Sequence, residues 1–508
     1  MSEQATISIP SSGSTPPVAG EPRRSIPESR KWWALAFLCV VQFMVVLDIA
    51  IVNVALPSIQ VDLGFSQENL QWVISAYALV FGGFLLLGGR MADLLGRRRI
   101  FLVGLAVFTL GSLLAGLAWS EGSLISARAF QGLGAAIISP AALSILTTTF
   151  AEGRERNIAL GAWGAVGGFG AAAGVLLGGV LTDALSWEWI FFVNIPVGIA
   201  GMALAPLLLA ESRDARVKSF DITGAVLVTG GLSLLVYAIT QANEFGWGSL
   251  ETIGLFAGSA AILAAFIAVE ARIREPLMRF GIFRIKTVSG ANVAGFVLGT
   301  SMFGMFLMLT FYMQQVLGYS AMRTGLGYLA VAGTAILWSA VAAQLVSRIG
   351  VKPVLVVGQL AVTAGLVYFT QVSVGGSYFA DLFPGFLLIG FGIGFSFVPI
   401  SIAALAGIQR SEAGLASGLI NTTQQIGGAL GIAVLSAVAI AETGDAAAVP
   451  VALTDGFRAA FWVGVGIAAA GVLVALTLIR REELEAAPEA EPETVRRSPR
   501  PRLGGLGR

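Results

Sequence analysis

Histidine is missing from this 508-residue sequence, cysteine occurs once, and charged residues are scarce. Because histidine is the side chain that ordinarily titrates near neutral pH, proton transfer by this chain must fall to carboxylates. The single cysteine, Cys39, excludes an intramolecular disulfide bond. Charged residues make up 12% of the chain, well below the share that a water-soluble domain carries on its surface. The main solvent of this chain is therefore lipid rather than water.

Long apolar segments dominate what is present: hydrophobic residues are 56% of the sequence and the mean hydropathy is +0.83. Lipid offers no partner for backbone N–H and C=O groups, so a spanning segment must be a helix or part of a closed barrel. The apolar segments run for about 20 residues or more, the length of a helix that crosses a bilayer. We therefore predict an all-α integral membrane protein with fourteen spans. The predicted spans are 33–56, 71–89, 100–119, 123–147, 158–182, 189–210, 221–242, 250–270, 290–313, 325–346, 353–373, 378–403, 414–441 and 457–479.

The basic residues indicate an orientation. With the N-terminus in the cytoplasm, all lysines and arginines except Arg128, Arg323 and Arg458 fall in cytoplasmic segments, as the positive-inside rule requires. An even number of spans then places the C-terminus in the cytoplasm as well. The tails 1–32 and 480–508 carry no apolar run and are predicted to be disordered.

A faint internal repeat indicates two related halves. Gly96, after the second span, superposes on Gly350 after the tenth, and Gly132 superposes on Gly390. The offsets fit two six-helix bundles, 33–210 and 290–479, separated by an inserted pair of helices at 221–270. Transporters are commonly built from such repeats, with the substrate site between them.

Asp48 is the acidic residue placed deepest in an apolar span. The other acids fall in loops or at span ends, as Glu270 does at the inner end of the eighth span. A carboxylate inside the bilayer costs at least about 2.5 kcal/mol, so it usually has a partner or a task. One interpretation is a structural ion pair or a neutral, hydrogen-bonded acid. The other is a proton carrier.

Arg128 is the second charge inside the membrane, at nearly the depth of Asp48 in the fourth span. Gln131 follows on the same helical face and could hydrogen-bond the guanidinium. The alternative is that Arg128 snorkels to the outer interface. Phe386 stands at the equivalent position of the second half, so the charge belongs to the first half. If Arg128 approaches and leaves Asp48 as the halves rock, the acid would load and unload a proton.

The fifth span carries a stripe of glycines, Gly170, Gly174, Gly178 and Gly179. Small residues on one stripe let two helix backbones approach closely. Taken alone, the stripe indicates packing rather than chemistry.

The thirteenth span carries a polar face of Asn421, Gln424 and Gln425. With Gln131 it could line a substrate cavity, or it could hold helices together by hydrogen bonds. The sequence has no phosphate-binding G-x-x-x-x-G-K-[ST] pattern, which argues against ATP as the energy source.

The segment GRMADLLGRRR (89–99) lies between the second and third spans. It could be a topological anchor alone. However, an anchor does not need Asp93, which can pair with Arg97 four residues later on a helix.

This segment resembles the corresponding loop of the major facilitator superfamily. LDIAIVNVALP (47–57), RAFQGLGAA (128–136) and SWEWIFFVNIPVG (186–198) are similar to motifs of its drug:proton antiporters. FYMQQVLGYS (311–320) and GLASGLINTTQQIGGALG (414–431), with fourteen spans, resemble the fourteen-spanner drug-efflux branch. The resemblance covers roughly 32–480.

The resemblance implies roles for matching residues. Asp48 would couple transport to protons and Arg128 would act with it. The loop would latch the two halves during alternating access through Gly89, Asp93, Gly96, Arg97 and Arg98. The glycine stripe resembles the antiporter signature of span five, but Val175 stands where proline is expected. Glu188 likewise replaces the usual arginine between the two tryptophans of its motif.

These observations predict a proton-driven antiporter that exports hydrophobic or cationic drugs across a bacterial plasma membrane. The expected partners are the drug, protons and membrane lipid. We expect a monomer with no cofactor, metal, nucleotide or nucleic acid and no enzymatic activity. A proton-coupled uptake permease and a membrane sensor on a transporter scaffold remain as alternatives.

Overall fold

The computed structural model describes residues 28–150, 154–213, 221–273, 276–277, 280–408, 413–444 and 449–485. These residues form helices joined by short connections, and none of them forms a strand. The predicted all-α fold class is confirmed. The predicted tails fall mostly outside the described residues.

Fourteen helices of 15 residues or more follow one another in the described part of the chain. They are α1 Glu28–Leu63, α2 Trp72–Leu95, α3 Arg97–Gly116, α4 Glu121–Thr149, α5 Arg154–Ala184, α6 Asn194–Leu208, α7 Ile222–Phe245, α8 Leu250–Glu270, α9 Lys286–Phe311, α10 Ala321–Ile349, α11 Val351–Phe369, α12 Phe383–Ala403, α13 Ala413–Thr443 and α14 Pro450–Leu478. Short helical turns precede or extend several of them, at Gln67–Leu70, Trp189–Phe192, Phe280–Arg284, Tyr312–Val316, Tyr378–Leu382 and Arg481–Glu485.

Thirteen helical stretches are long and apolar enough to cross a membrane, judged on the described residues. They correspond to every predicted span except the fifth. That span lies in α5, a helix of 31 residues in which the described apolar stretch, Ala172–Ala184, is shorter than a membrane span. The total of fourteen spans therefore stays a prediction.

Helix formation extends into both predicted tails. α1 begins at Glu28, where Lys31 donates to Glu155 at 2.7 Å and ties its first turn to α5. The turn Arg481–Glu485 packs against the first turn of α9. There Glu483 accepts a hydrogen bond from the Thr287 backbone N–H at 2.6 Å. Burial raises the pKa of Glu483, but hydrogen bonds from Thr287 and Lys286 and the charge of Arg480 hold it below its ordinary value.

Two glycines support the internal repeat. Gly96 separates α2 from α3 with φ +114°, and Gly350 separates α10 from α11 with φ +89°. A residue with a side chain rarely adopts this backbone conformation, so glycine allows each helix to end and the next to begin at once. The same turn therefore recurs at the superposed positions of the two halves.

The inserted pair packs beside the joint between the halves. α7 and α8 pack on each other, and α7 also contacts α2 of the first half and α13 of the second. One apolar cluster joins the three parts through Leu79, Val236 and Ala433. The division at 33–210, 221–270 and 290–479 itself stays a prediction.

The halves meet tightly at one end of the bundle. We call the end that holds Trp187 the Trp187 end and the opposite end, which holds the turn before Arg97, the Arg97 end. At the Trp187 end Gln314 donates to the Val54 carbonyl at 2.8 Å, and the Met322 N–H donates to Asp183 at 2.9 Å. Toward the Arg97 end, residues 333–349 of α10 are exposed or half-exposed, with Ala342 the one buried residue. The described contacts thus join the two halves at the Trp187 end.

Candidate functional site

Asp48 lies on α1 and is fully buried. Its carboxylate accepts three hydrogen bonds. Oδ2 accepts from Arg128 Nη1 at 2.7 Å, and Oδ1 accepts from Gln131 Nε2 at 2.7 Å and from Asn194 Nδ2 at 2.9 Å. Donors aimed at both oxygens, one of them a cation, compensate for taking a negative charge out of water.

Arg128 is held on every side by the first half. Its Nε donates to the Val73 carbonyl at 3.0 Å, and Nη1 also donates to Gln131 Oε1 at 2.5 Å. The ring of Tyr77 lies 4.3 Å from the guanidinium carbon, close enough for a cation–π contact. The residue is 1% exposed. Arg128 therefore pairs with Asp48 inside the bundle rather than snorkelling to the interface.

Ser112 and Asn194 complete the network, and the sequence interpretation missed both. Ser112 Oγ accepts from Gln131 Nε2 at 2.6 Å and from Asn194 Nδ2 at 3.2 Å. Both residues are buried. A polar side chain in an apolar run is the available signal for each residue, and Asn194 lies in the motif SWEWIFFVNIPVG (186–198). The network now joins α1, α3, α4 and α6.

Glycines allow the helices to close around this network. A methyl group added at Gly111 would lie 2.7 Å from the Gln131 Cα, and one at Gly132 would lie 2.6 Å from the Tyr77 carbonyl oxygen. Both distances are shorter than a carbon atom tolerates, so α2, α3 and α4 approach as closely as they do because these positions lack a side chain.

Asn194 lies in the first turn of α6. The backbone keeps helical dihedral angles at Val193, between the turn Trp189–Phe192 and α6. Pro196 has no N–H to donate back to Phe192, so one helical hydrogen bond is absent there. From this position the amide of Asn194 reaches Asp48 and Ser112.

The glycine stripe of α5 packs on the part of α1 that carries Asp48. A methyl group added at Gly174 would lie 2.7 Å from Ala50 Cβ and 2.8 Å from the Leu47 carbonyl oxygen. Gly170 faces Val46 and Gly178 faces the Ile51 carbonyl in the same way.

Gly179 turns to the other half. A methyl group there would lie 2.6 Å from Met322 Cα on α10. α5 runs without interruption through Val175, where the resembling signature has proline. The stripe thus serves two close contacts, one inside the first half and one between the halves.

The loop cluster binds helices of the first half together. Arg97 pairs with Asp93 at 2.8 Å, and Asp93 also accepts from Ser144 of α4 at 3.2 Å. The Arg97 N–H donates to the Ser212 carbonyl at 2.9 Å, and Glu211 accepts from the Arg98 N–H at 3.1 Å.

Two glycines shape this cluster. Gly89 faces Pro140 of α4, and a methyl group at Gly96 would lie 2.8 Å from Glu211 Oε1. The described hydrogen bonds of Asp93 and Arg97 end on the first half, so the latch between halves that the resemblance implies stays a prediction.

The polar residues of α13 point in different directions. Asn421 is exposed and bonds back to the Ser417 carbonyl. Gln424 is half-buried against Gly299 of α9, whereas Gln425 is buried against Gly82 of α2. Gln131, the fourth residue proposed to line a substrate cavity, hydrogen-bonds to Asp48 and belongs to that network.

Two further buried acids lie outside this network. Asp221 caps α7 through the Gly224 N–H at 2.8 Å, and Glu270 accepts from the Leu277 N–H at 3.3 Å. They are 6% and 2% exposed, and a methyl group at Gly224 would clash with both. Both acids lie at helix ends, Asp221 at the N-cap of α7 and Glu270 at the last residue of α8, where the sequence also placed Glu270.

The Asp48 network brings one carboxylate beside one guanidinium and otherwise neutral donors. Among the described residues no three His, Cys, Asp or Glu side chains are grouped as a metal site. Asp48, Arg128 and Gln131, which the sequence singled out separately, are brought together.

Comparisons with protein families, curated relatives and solved structures all match this chain to membrane transporters of one superfamily. The sequence matches the Major Facilitator Superfamily over residues 38–432. It is 40% identical to the puromycin resistance protein pur8 of Streptomyces alboniger, over 92% of this chain and 94% of that protein. It is 41% identical to the cephamycin export protein CmcT of Amycolatopsis lactamdurans, over 83% and 87%. The crystal structure of the human organic anion transporter MFSD10 superposes with a TM-score of 0.60 at 15% identity, over 89% of this chain and 100% of that one, and shows the likeness of fold.

Proposed function

Because this chain belongs to the Major Facilitator Superfamily, we propose that it exports hydrophobic or cationic drugs or antibiotics in exchange for protons. The observation that carries the proton coupling is the buried Asp48–Arg128 pair in a chain without histidine. The substrate class and direction rest on relatives named for puromycin resistance and cephamycin export. The activity is transport, with no chemical step.

The movement that exchanges the proton must occur inside the first half. Asp48 and Arg128 both belong to it, so rocking two rigid halves leaves the distance between them unchanged. The expectation that rocking separates the pair is therefore replaced by a shift of α1 relative to α4. The glycine stripe of α5 supports this shift, because Gly170, Gly174 and Gly178 present no side chain of their own to α1.

Protonation would drive that shift. A neutral Asp48 no longer attracts Arg128, and α1 is released; loss of the proton restores the ion pair. A cationic drug bound near Asp48 supplies the charge that the proton supplied, so drug and proton exclude one another. Mutual exclusion at one carboxylate is the condition for antiport.

The orientation follows from the basic residues. We place the Arg97 end and both termini in the cytoplasm of a bacterium, with the chain working as a lipid-embedded monomer in the plasma membrane. The Trp187 end then faces outward. The exposed Asn421 and half-buried Gln424 are candidates for lining the drug's path.

Transport into inverted membrane vesicles tests this function. Vesicles containing the protein should accumulate a fluorescent cationic drug when their interior is acidified, and an uncoupler should abolish the accumulation. Protein-free vesicles provide the control. Proton-coupled accumulation in the opposite direction would mean an uptake permease, and a protein that moves no compound of a drug panel would be a sensor. Either result overturns the proposal.

A further inference from the structure

The amide of Asn194 is the least expected member of the Asp48 network. It is 1% exposed, comes from α6, and donates to Asp48 Oδ1 at 2.9 Å and to Ser112 Oγ at 3.2 Å. One of its acceptors is the carboxylate that we propose as the proton carrier, and the inference below rests on that proposal.

Donors control how readily a carboxylate takes up a proton. A hydrogen bond to the charged form favours that form, so removing a donor makes protonation easier. Oδ1 of Asp48 has two donors, Gln131 and Asn194, and Oδ2 has Arg128. Removing Arg128 would also remove a charge, and removing Gln131 would disturb Arg128, to which it is bonded. Asn194 is the donor that can be removed with the charges left in place.

The other groups facing Asp48 are few. α4 presents Arg128, α2 presents Tyr77, and α3 presents the uncharged Ser112. α5 presents its glycines, and Gln314 of the second half reaches α1 at Val54. Asn194 therefore acts on an acid whose charged and titratable neighbours are Arg128 and Tyr77.

We infer that Asn194 is a positioning residue that sets the pH at which Asp48 exchanges its proton. It does so by holding Oδ1 as an acceptor. Because Asn194 lies on α6 and Asp48 on α1, a small shift of one helix relative to the other would move the donor away from Asp48. Such a movement would favour protonation at one stage of the cycle and release at another.

The test is the pH profile of transport by Asn194→Leu, which keeps the side-chain size and removes the donor. We expect the pH at which drug–proton exchange is half-maximal to rise by about one unit, with the maximal rate retained. Asn194→Gln, which keeps an amide, should bring the profile back toward wild type. A structural role would lower protein level or maximal rate in both variants and leave the midpoint unchanged, which would overturn the inference.

A second variant, Asn194→Asp, tests the inference if Asn194→Leu does not fold. Asn194→Asp keeps the shape and places a second carboxyl beside Asp48, so the two acids share a proton and the midpoint should rise further. An unmoved midpoint here also contradicts the inference. Asp48→Asn in the same assay separates the two proposals. If it keeps pH-driven exchange, the proposed coupling fails; if it loses exchange while the Asn194 variants leave the midpoint in place, the inference alone fails.

Discussion

At the residue scale, the two halves differ at one equivalent position. Arg128 occupies it in the first half and Phe386 in the second, where the ring is fully buried. Phe386 packs against Tyr328 and Phe369, with ring centroids 5.4 and 5.6 Å away. This aromatic cluster contains no Asp, Glu, Lys or Arg, so the ion pair at this depth belongs to the first half.

The ion pair itself makes a prediction about stability. Arg128→Met leaves the Asp48 carboxylate buried without a counter-charge and should lower the free energy of unfolding by about 3 kcal/mol or more. Adding Asp48→Asn should recover most of that loss, because both charges are then gone, but should not restore transport. Thermal unfolding of the purified variants in detergent measures this.

Asp455→Asn breaks the exposed pair with Arg458 and serves as control, with an expected change of about 1 kcal/mol or less. Equal losses from Arg128→Met and the double variant would contradict the pairing.

At the scale of the helices, close approach through glycine explains how α1 and its Asp48 are enclosed. The α1–α5 contact depends on Gly170, Gly174 and Gly178, and α5 needs no proline kink at Val175 to make it. At these positions α5 presents no side chain, and α1 packs directly against its backbone. We therefore expect a larger residue at one of these glycines to disrupt the packing of α1 on α5.

Gly174→Ala tests the contact. The added methyl would lie 2.7 Å from Ala50 and should force α1 away, at a cost of about 1–3 kcal/mol in stability and with loss of most transport. Gly230→Ala on α7 is the matched control, because no atom lies within 4 Å of its added methyl. The measurement compares drug transport and the unfolding temperature of the two variants with those of the wild-type protein. Normal transport in Gly174→Ala would show that α1 does not depend on this contact.

The sequence predicted the helices and the central pair better than it predicted their surroundings. Apolar run length sets a span, and similar depth in two spans was enough to bring Asp48 and Arg128 together. Helix rotation and breaks within spans are set by tertiary packing, which one sequence does not display. Asn194 and Ser112 were missed for that reason. Gln425 was grouped with Asn421 although it faces a different helix.

At the scale of the whole molecule, the buried Asp48 network lies in the first half, and the two halves are joined at the Trp187 end. The contacts of Gln314 with Val54 and of Met322 with Asp183 join the halves there. Drug export requires that these contacts open when the proton state of Asp48 changes. The central claim is therefore that drug and proton compete through Asp48.

Proton release on drug binding tests this claim most directly. Purified wild-type protein in weakly buffered detergent solution should release on the order of one proton for each cationic drug molecule bound, because linkage makes the displacement reciprocal. Asp48→Asn should release none, and Glu270→Gln, which removes a different buried acid, should release as many as wild type. Proton release by Asp48→Asn at the wild-type level, with drug binding confirmed in the same sample, would contradict the account.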